Sequence, residues 1–443
     1  MAYGEFGEKF GELFRSGNHS VVKTAQQYLR GLMQAEKRNM ERMAEAVPDS
    51  DENVLQNFLT HSSWGYRPVM DRVASDADAL LGSEIGTGFY IDESGFQKKG
   101  EHSVGVARQW NGRLGKQDNC QVGVFGALGR GDRVSLIDAR LYLPKEWTDD
   151  PGRCDRADVP RAEQIHRTKL ELAQEIIRHA RQTGVRFEWV GMDGLYGNSL
   201  ELLESLQAQG ETFVADVHSN QHIYLTDPAP YLPPQGLGRP RVRYHSDVQP
   251  MEVRKWIKKQ PASRWRKKTL RKTTKGDLVV EVLHQRVWLW DKHSQNANCW
   301  HLIVRRELSS PGTLKYSLSN APAQTSVMKL TQMQAQRFWI ERAFQDAKSH
   351  IGMAQYQARQ WPSWHRHMAL VMMAMLFMLE ARLKHIDTHP MLSCYDIQVL
   401  LATTLPDRRS SQEEVLRQLQ ARHEKRQKLI EAANRASTHN SLI

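Results

Sequence analysis

The chain has 443 residues, 40% hydrophobic and 25% charged, with a formal charge of +11 and a sequence pI of about 9.4. That size suits two or three domains of roughly 100–200 residues each, and the composition excludes a disordered or fibrous chain. The excess of Lys and Arg points to an anionic partner, of which nucleic acid is the commonest large one.

Cys120, Cys154, Cys299 and Cys394 lie far apart and form no C-x-x-C pair. Disulfide frameworks and zinc-ligand spacing are therefore not expected, and a reduced cytoplasmic setting fits best. The opening MAYGEFGEKFGELF carries acids and no apolar centre, unlike a signal peptide. The apolar run from Met368 to Leu379 is too short to span a bilayer and reads as a buried helix.

Residues 1–80 read as a helical N-terminal domain, suited to DNA binding and equally to packing or a dimer surface. The stretch 24–47 has apolar residues at helical spacing, and Asp49 or Ser50 is placed to cap a second helix. The character changes near Gly86. GTGFYIDESGFQ reads as a strand, and 121–128 and 133–144 read as a hairpin turning at Gly131. A long helix is expected over 161–183, closed by Gly184. The stretch 187–197 is a short buried strand ending in Asp193, followed by a helix closing at Gly210 and the strand TFVADV.

This order, an antiparallel meander feeding a parallel arrangement, predicts an α/β core over 81–218. Asp92 falls on its first strand and Asp193 at the end of its fourth. Functional groups in open α/β sheets collect at strand carboxyl ends, so adjacency of these two strands would bring the two acids close together.

Residues 219–328 read as a β-rich basic insertion. Pro228, Pro230, Pro233, Pro234 and Pro240 mark a loop region, and 251–276 is dense in cations. Within it Lys255, Lys258, Lys259, Arg264, Arg266, Lys267 and Lys268 are candidates for phosphate contact. Trp256 and Trp265 are interleaved with them, and strands are expected over 278–291 and 299–308. A solvated charged face over a tryptophan core is the other reading of this run.

The second part of the core, 329–390, holds one amphipathic helix over 331–350 and then the apolar helix. Arg337, Glu341 and Lys348 stand at offsets of four and seven and so share a helix face. Taken alone, Arg337 and Glu341 make an ordinary surface salt bridge. His365 and His367 have no neighbouring acid or Cys and are a weak metal signal. Residues 391–443 read as a basic helical C-terminal region. If Asp92, Asp193 and Glu341 converge, three hard oxygen ligands suit Mg²⁺, with Mn²⁺ as a substitute. Two such ions about 4 Å apart serve in-line displacement at phosphorus.

Longer motifs carry a resemblance. YIDESGFQKKGEHSVGVARQW, GKQDNCQVGVFGAL, LYLPKEWTDDPGRC, MDGLYG, QYQARQWPSWHRHMAL and NMERMAEAVPDSDENVLQNFL are similar to stretches of bacterial insertion-sequence transposases. The chain thus resembles, from about residue 25 to 390, the RNase H-like DDE transposases of the branch with a Tyr-Arg-Glu-Lys signature. Arg337, Glu341 and Lys348 match that signature, whereas Gln334 stands where the family has tyrosine.

The resemblance implies an RNase H-like (retroviral integrase-like) catalytic core. Asp92, Asp193 and Glu341 would be its catalytic metal ligands, and Arg337 and Lys348 would face phosphates at the transposon end. It implies cleavage of terminal inverted repeats, joining of 3′ ends to target double-stranded DNA, and a dimer or larger homo-oligomer holding two ends together. Trp288 and Trp290 are candidates for stacking on a flipped base, as are Trp256 and Trp265. A structure-specific RNase H-like nuclease and a non-catalytic DNA-binding protein remain the alternatives.

Overall fold

A computed structural model describes residues 3–112, 114–234, 242–273, 276–308 and 310–440. Pro240 of the loop region, residues 274–275 of the basic run and the last three residues of the tail lie outside them. The chain divides into two units, one of 1–69 with 346–443 and the other of 70–345.

The first unit is helical. The expected helix over 24–47 is two helices, Val22–Gln34 and Met40–Ala46, because Asn39 accepts from the Arg42 N–H and starts a new helix. Asp51, rather than Asp49 or Ser50, caps the next helix, Glu52–Thr60. The Met-rich helix Trp361–Lys384 is buried over most of its length. Around it the two ends of the chain meet: Phe6 packs on Phe377 at 5.2 Å, and the Tyr28 hydroxyl lies 2.9 Å from His367 Nδ1. Buried Arg366 donates to the carbonyls of Leu59 and Trp64. The tail helix Gln412–Asn440 returns to the N-terminal helices, with Lys425 2.7 Å from Glu52. The N-terminal, apolar-helix and C-terminal regions that the sequence separates thus share one unit. No helix among the described residues is long and apolar enough to cross a membrane.

The second unit is organised by one ten-stranded sheet. Its strands are β1 (Thr87–Gln97), β2 (Ala107–Asn111), β3 (Lys116–Arg130), β4 (Arg133–Leu141), β5 (Trp189–Met192) and β6 (Phe213–Asp216), then β7 (Arg266–Thr273), β8 (Gly276–Leu289), β9 (Asn298–Glu307) and β10 (Ser310–Ser319). β1 and β3 pair antiparallel over eleven residues, and β4 pairs with β3 across the Gly131 turn, where φ is +65°. β5 lies parallel to β1, and β6 parallel to β5. The crossover to β5 is helix α1 (Lys169–Gln182). It starts later than the sequence suggests because Thr168 and Glu171 form a reciprocal capping box. Short helix α2 (Gly194–Gly197) and helix α3 (Leu200–Ala208) connect β5 to β6.

The insertion extends the core sheet. β10 pairs antiparallel with β6, and β9, β8 and β7 follow outward, with α4 (Val253–Lys258) ahead of β7. Val280, Val282 and Ile303 on these strands bury against Leu330 of the next helix. The single helix expected over 331–350 is two segments, α5 (Val327–Gln336) and α6 (Phe338–His350). Arg337 sits at the join, where the Ile340 N–H bonds the Arg337 carbonyl in a tightened turn. Ile340, Ala343 and Phe344 turn the first part of α6 inward, and Phe344 meets Phe125 of β3 edge-on at 5.3 Å.

Candidate active site

The site follows from strand register. The last paired residues of the three parallel strands are Ile91 with Met192, and Met192 with Ala215. One position further, Asp193 and Asp216 stand at the carboxyl ends of β5 and β6, and Asp92 lies beside them in the middle of the longer β1, so the three come in one row. Parallel strands stand about 4.8 Å apart, so three carboxylates crowd at the edge of a buried sheet. Asp193 is fixed by its local fold, as its carboxylate caps α2 by accepting from the Leu195 N–H at 2.9 Å. Asp92 accepts from the Glu93 N–H at 2.7 Å.

Arg337 gathers this row with Glu341. Its Nε donates to Asp216 at 3.0 Å, its Nη2 to Glu341 at 2.9 Å, and its Nη1 lies 3.5 Å from Asp92. The guanidinium is buried, whereas the Glu341 side chain is about half exposed. The i, i+4 pair read from sequence is therefore present, but it is one arm of a four-carboxylate cluster.

Electrostatics follow from burial and crowding. Burial, with the Asp193 charge added, pushes the Asp92 carboxyl up to about 8, against the opposing pull of Arg337 and the Glu93 N–H. Asp193 is raised too, by burial, with Arg337 and its capping N–H groups opposing. Burial disfavours the Arg337 cation, but Asp216, Asp92 and Glu341 outweigh it and hold its pKa above the ordinary value. Next to Asp92, Glu93 pairs with Lys169 at 2.9 Å. The buried Tyr196 hydroxyl of α2 makes no hydrogen bond, and burial and the nearby acids raise its pKa.

Among the described residues no group of three His, Cys, Asp or Glu side chains is placed to hold a metal ion. The residues nonetheless fit a hard divalent cation in donor type and charge: four carboxylates, three of them half-buried and one exposed, outnumber the one guanidinium among them.

The fold places Asp92, Asp193 and Glu341, three of the acids singled out in the sequence, around Arg337. The sequence reading misses Asp216, although the strand-end rule that selects Asp193 selects Asp216 as well. Lys348 lies on α6 in the stretch assigned to the other unit. Of the basic cluster, Lys255, Lys258, Lys259, Arg264, Arg266 and Lys267 are exposed and Lys268 is half-buried. Arg264 is held by Gln285 at 3.0 Å and lies over the Trp256 ring.

The tryptophans stand elsewhere. The Asp216 row continues through Ser317 and Ile303 to His284 on β8. Trp288 is four residues beyond His284 in the direction of the amino end of β6, or about 13 Å at ~3.3 Å per residue. Trp290 lies further along that direction, its Nε1 donating to the Ser294 carbonyl at 2.8 Å. The register thus carries both away from the acids. Trp256 is a core residue, and Trp265 lies under Arg306 at 4.2 Å.

One glycine supports the site directly. A Cβ at Gly197 would stand 1.9 Å from the Asp216 carbonyl oxygen. Gly197→Ala is expected to cost about 1–3 kcal/mol, as overpacking does, and to push Asp216 out of the row. Urea unfolding gives the cost, and wild-type stability in the variant would contradict the close approach.

A family model described as DDE superfamily endonuclease matches residues 12–277, a span that includes Asp92 and Asp193. A curated relative, the "Probable transposase for insertion sequence element IS701" of Microchaete diplosiphon, is 24% identical over 330 residues. That alignment covers 74% of each chain.

Proposed function

The chain belongs to the DDE superfamily of endonucleases, and on that premise we propose that it is the transposase of a bacterial insertion sequence. In this reading it binds terminal inverted repeats, cleaves them and joins the 3′ ends to target DNA in the cytoplasm. The observation that carries the reading is the convergence of Asp92, Asp193 and Glu341 around Arg337, where the parallel pairing of β1 with β5 ends. The name of the curated relative supports it. The strand arrangement, three antiparallel strands with two parallel ones added beside the first, supports an RNase H-like core.

Asp92, Asp193 and Glu341 would hold the metal, with Mg²⁺ the natural ion and Mn²⁺ a substitute. When bound, such ions activate the attacking oxygen and stabilise the leaving oxygen of an in-line displacement at phosphorus. The protein supplies the rest. The β1 ladder and the α2 cap hold the two aspartates rigidly, and Arg337 orients Glu341. The burial that raises Asp92 keeps the carboxylates in a medium where charge interactions are strong. The exposed cations of α4 and β7 suit the phosphate backbone of double-stranded DNA. Joining two ends calls for a homo-oligomer.

The test is an assay with Mg²⁺ and a labelled fragment carrying the DNA that borders the gene. Cleavage with joining supports the transposase. Cleavage without joining would make it a structure-specific nuclease, and binding without cleavage a DNA-binding protein. The basic run has its own test: reversing Lys258, Lys259, Arg266 and Lys267 to Glu should weaken end binding and flatten its salt dependence by about one unit of slope per lost phosphate contact. An unchanged slope would place DNA elsewhere.

A further inference from the structure

Asp216 is held by side-chain donors on both of its oxygens, whereas Asp92 takes a backbone N–H on one of its oxygens and Asp193 is held through the backbone N–H of Leu195. Asp216 Oδ2 accepts from Arg337 Nε at 3.0 Å, and its Oδ1 accepts from the Ser317 hydroxyl. The Ser317 oxygen in turn accepts from Gln334 Nε2 at 2.7 Å. Ser317 and Gln334 are buried, and the other Gln334 amide atom, Oε1, has no hydrogen-bond partner. An unsatisfied buried carbonyl is costly, and the bond from Nε2 to Ser317 offsets that cost in this placement of the amide.

The relay links three elements: Gln334 on α5, Ser317 on β10 and Asp216 on β6. Its end point is a rigid group. A guanidinium is planar, with five N–H donors in a fixed fork. Once Nε is set on Asp216, the directions of Nη1 and Nη2 follow, and they point to Asp92 and Glu341. Gln334 is also the position where this chain departs from the tyrosine of the Tyr-Arg-Glu-Lys pattern.

We propose that Asp216 is a positioning residue, which through the buried relay Gln334–Ser317–Asp216 fixes the Arg337 guanidinium and thereby the placement of Glu341 beside Asp92. The relay rests on the reading of these acids as a DNA-cleaving centre only for its consequence in catalysis, not for its existence.

A double-substitution cycle of Asp216→Asn and Arg337→Ala, read two ways, tests it. In metal-free urea unfolding, each change alone should lower the folding equilibrium constant. The pair should depart from the product of the single effects by about tenfold or more. Ser317→Ala and Gln334→Ala should show smaller coupling to Arg337→Ala in the same direction. In cleavage, Asp216→Asn should reduce kcat by about tenfold or more, as misplacement does, with KM for DNA within about twofold. In the Arg337→Ala background it should change kcat by less than about twofold.

Independent effects in unfolding overturn the relay, whatever the activity. A full effect of Asp216→Asn on kcat in the Arg337→Ala background also overturns it, since Asp216 would then act by another route. Coupling in unfolding with no cleavage by the wild-type chain would sink the transposase reading and leave the relay standing.

Discussion

Asp193→Asn lowers DNA cleavage by about a thousandfold or more and leaves DNA-end affinity within a few-fold of wild type. The substitution keeps the volume and the oxygen that caps α2 through the Leu195 N–H, so the turn after β5 should survive. What it removes is a negative charge beside Asp92, and with it a hard oxygen ligand. Cleavage assays and gel-shift titrations of the same preparation read the two effects. Loss of folding instead would make Asp193 a structural cap, and retained cleavage would remove it from the centre.

The second large effect is on stability. Arg337→Leu should destabilise the metal-free protein by about 3–5 kcal/mol at pH 8, the usual cost of leaving buried charge uncompensated. Arg337 has its pKa raised in the folded state, so its own contribution is present at every pH below its ordinary value. The pH dependence comes from its partners. Asp92 is raised to about 8, so the stability linked to it is full below about 4 and is lost as pH rises toward 8. The cost of removing Arg337 should therefore be smaller at pH 5, where Asp92 carries its proton. Asp92→Asn should flatten the fall in wild-type stability between pH 5 and 8. Chemical denaturation at the two pH values checks both statements, and a cost for Arg337→Leu independent of pH would contradict them.

Much of the centre was legible in the sequence because its two aspartates lie where period and burial are clearest. GFYI before Asp92 and WVGM before Asp193 are apolar runs that end in an acid, and a buried parallel sheet requires such runs. The crossover helix between them makes the two strands parallel neighbours, as found. Asp216 obeys the same rule after FVA, but nothing local distinguishes it from a strand-end acid facing water. Its role depends on Ser317, about a hundred residues away along the chain.

The insertion shows another limit. Its strand character was visible, but its pairing was not. SPGTLKYSLS alternates only over Leu314, Tyr316 and Leu318 after a Pro-Gly start, yet β10 is the one that joins the insertion to β6. β2 was missed because ARQWN carries little apolar pattern. Helix starts shifted where capping outweighed periodicity, at Thr168 and Asn39. The tightened turn at Arg337 likewise leaves no mark in a continuous apolar spacing.

The most direct measurement is Mn²⁺ binding by the protein–DNA complex, followed by electron paramagnetic resonance after removal of free metal. The wild-type complex should bind Mn²⁺, and Asp92→Asn, Asp193→Asn and Glu341→Gln should each weaken that binding about tenfold or more, while Glu93→Gln leaves it within a few-fold. Undiminished Mn²⁺ binding in all three variants would contradict the account, because the converging carboxylates would then hold no ion.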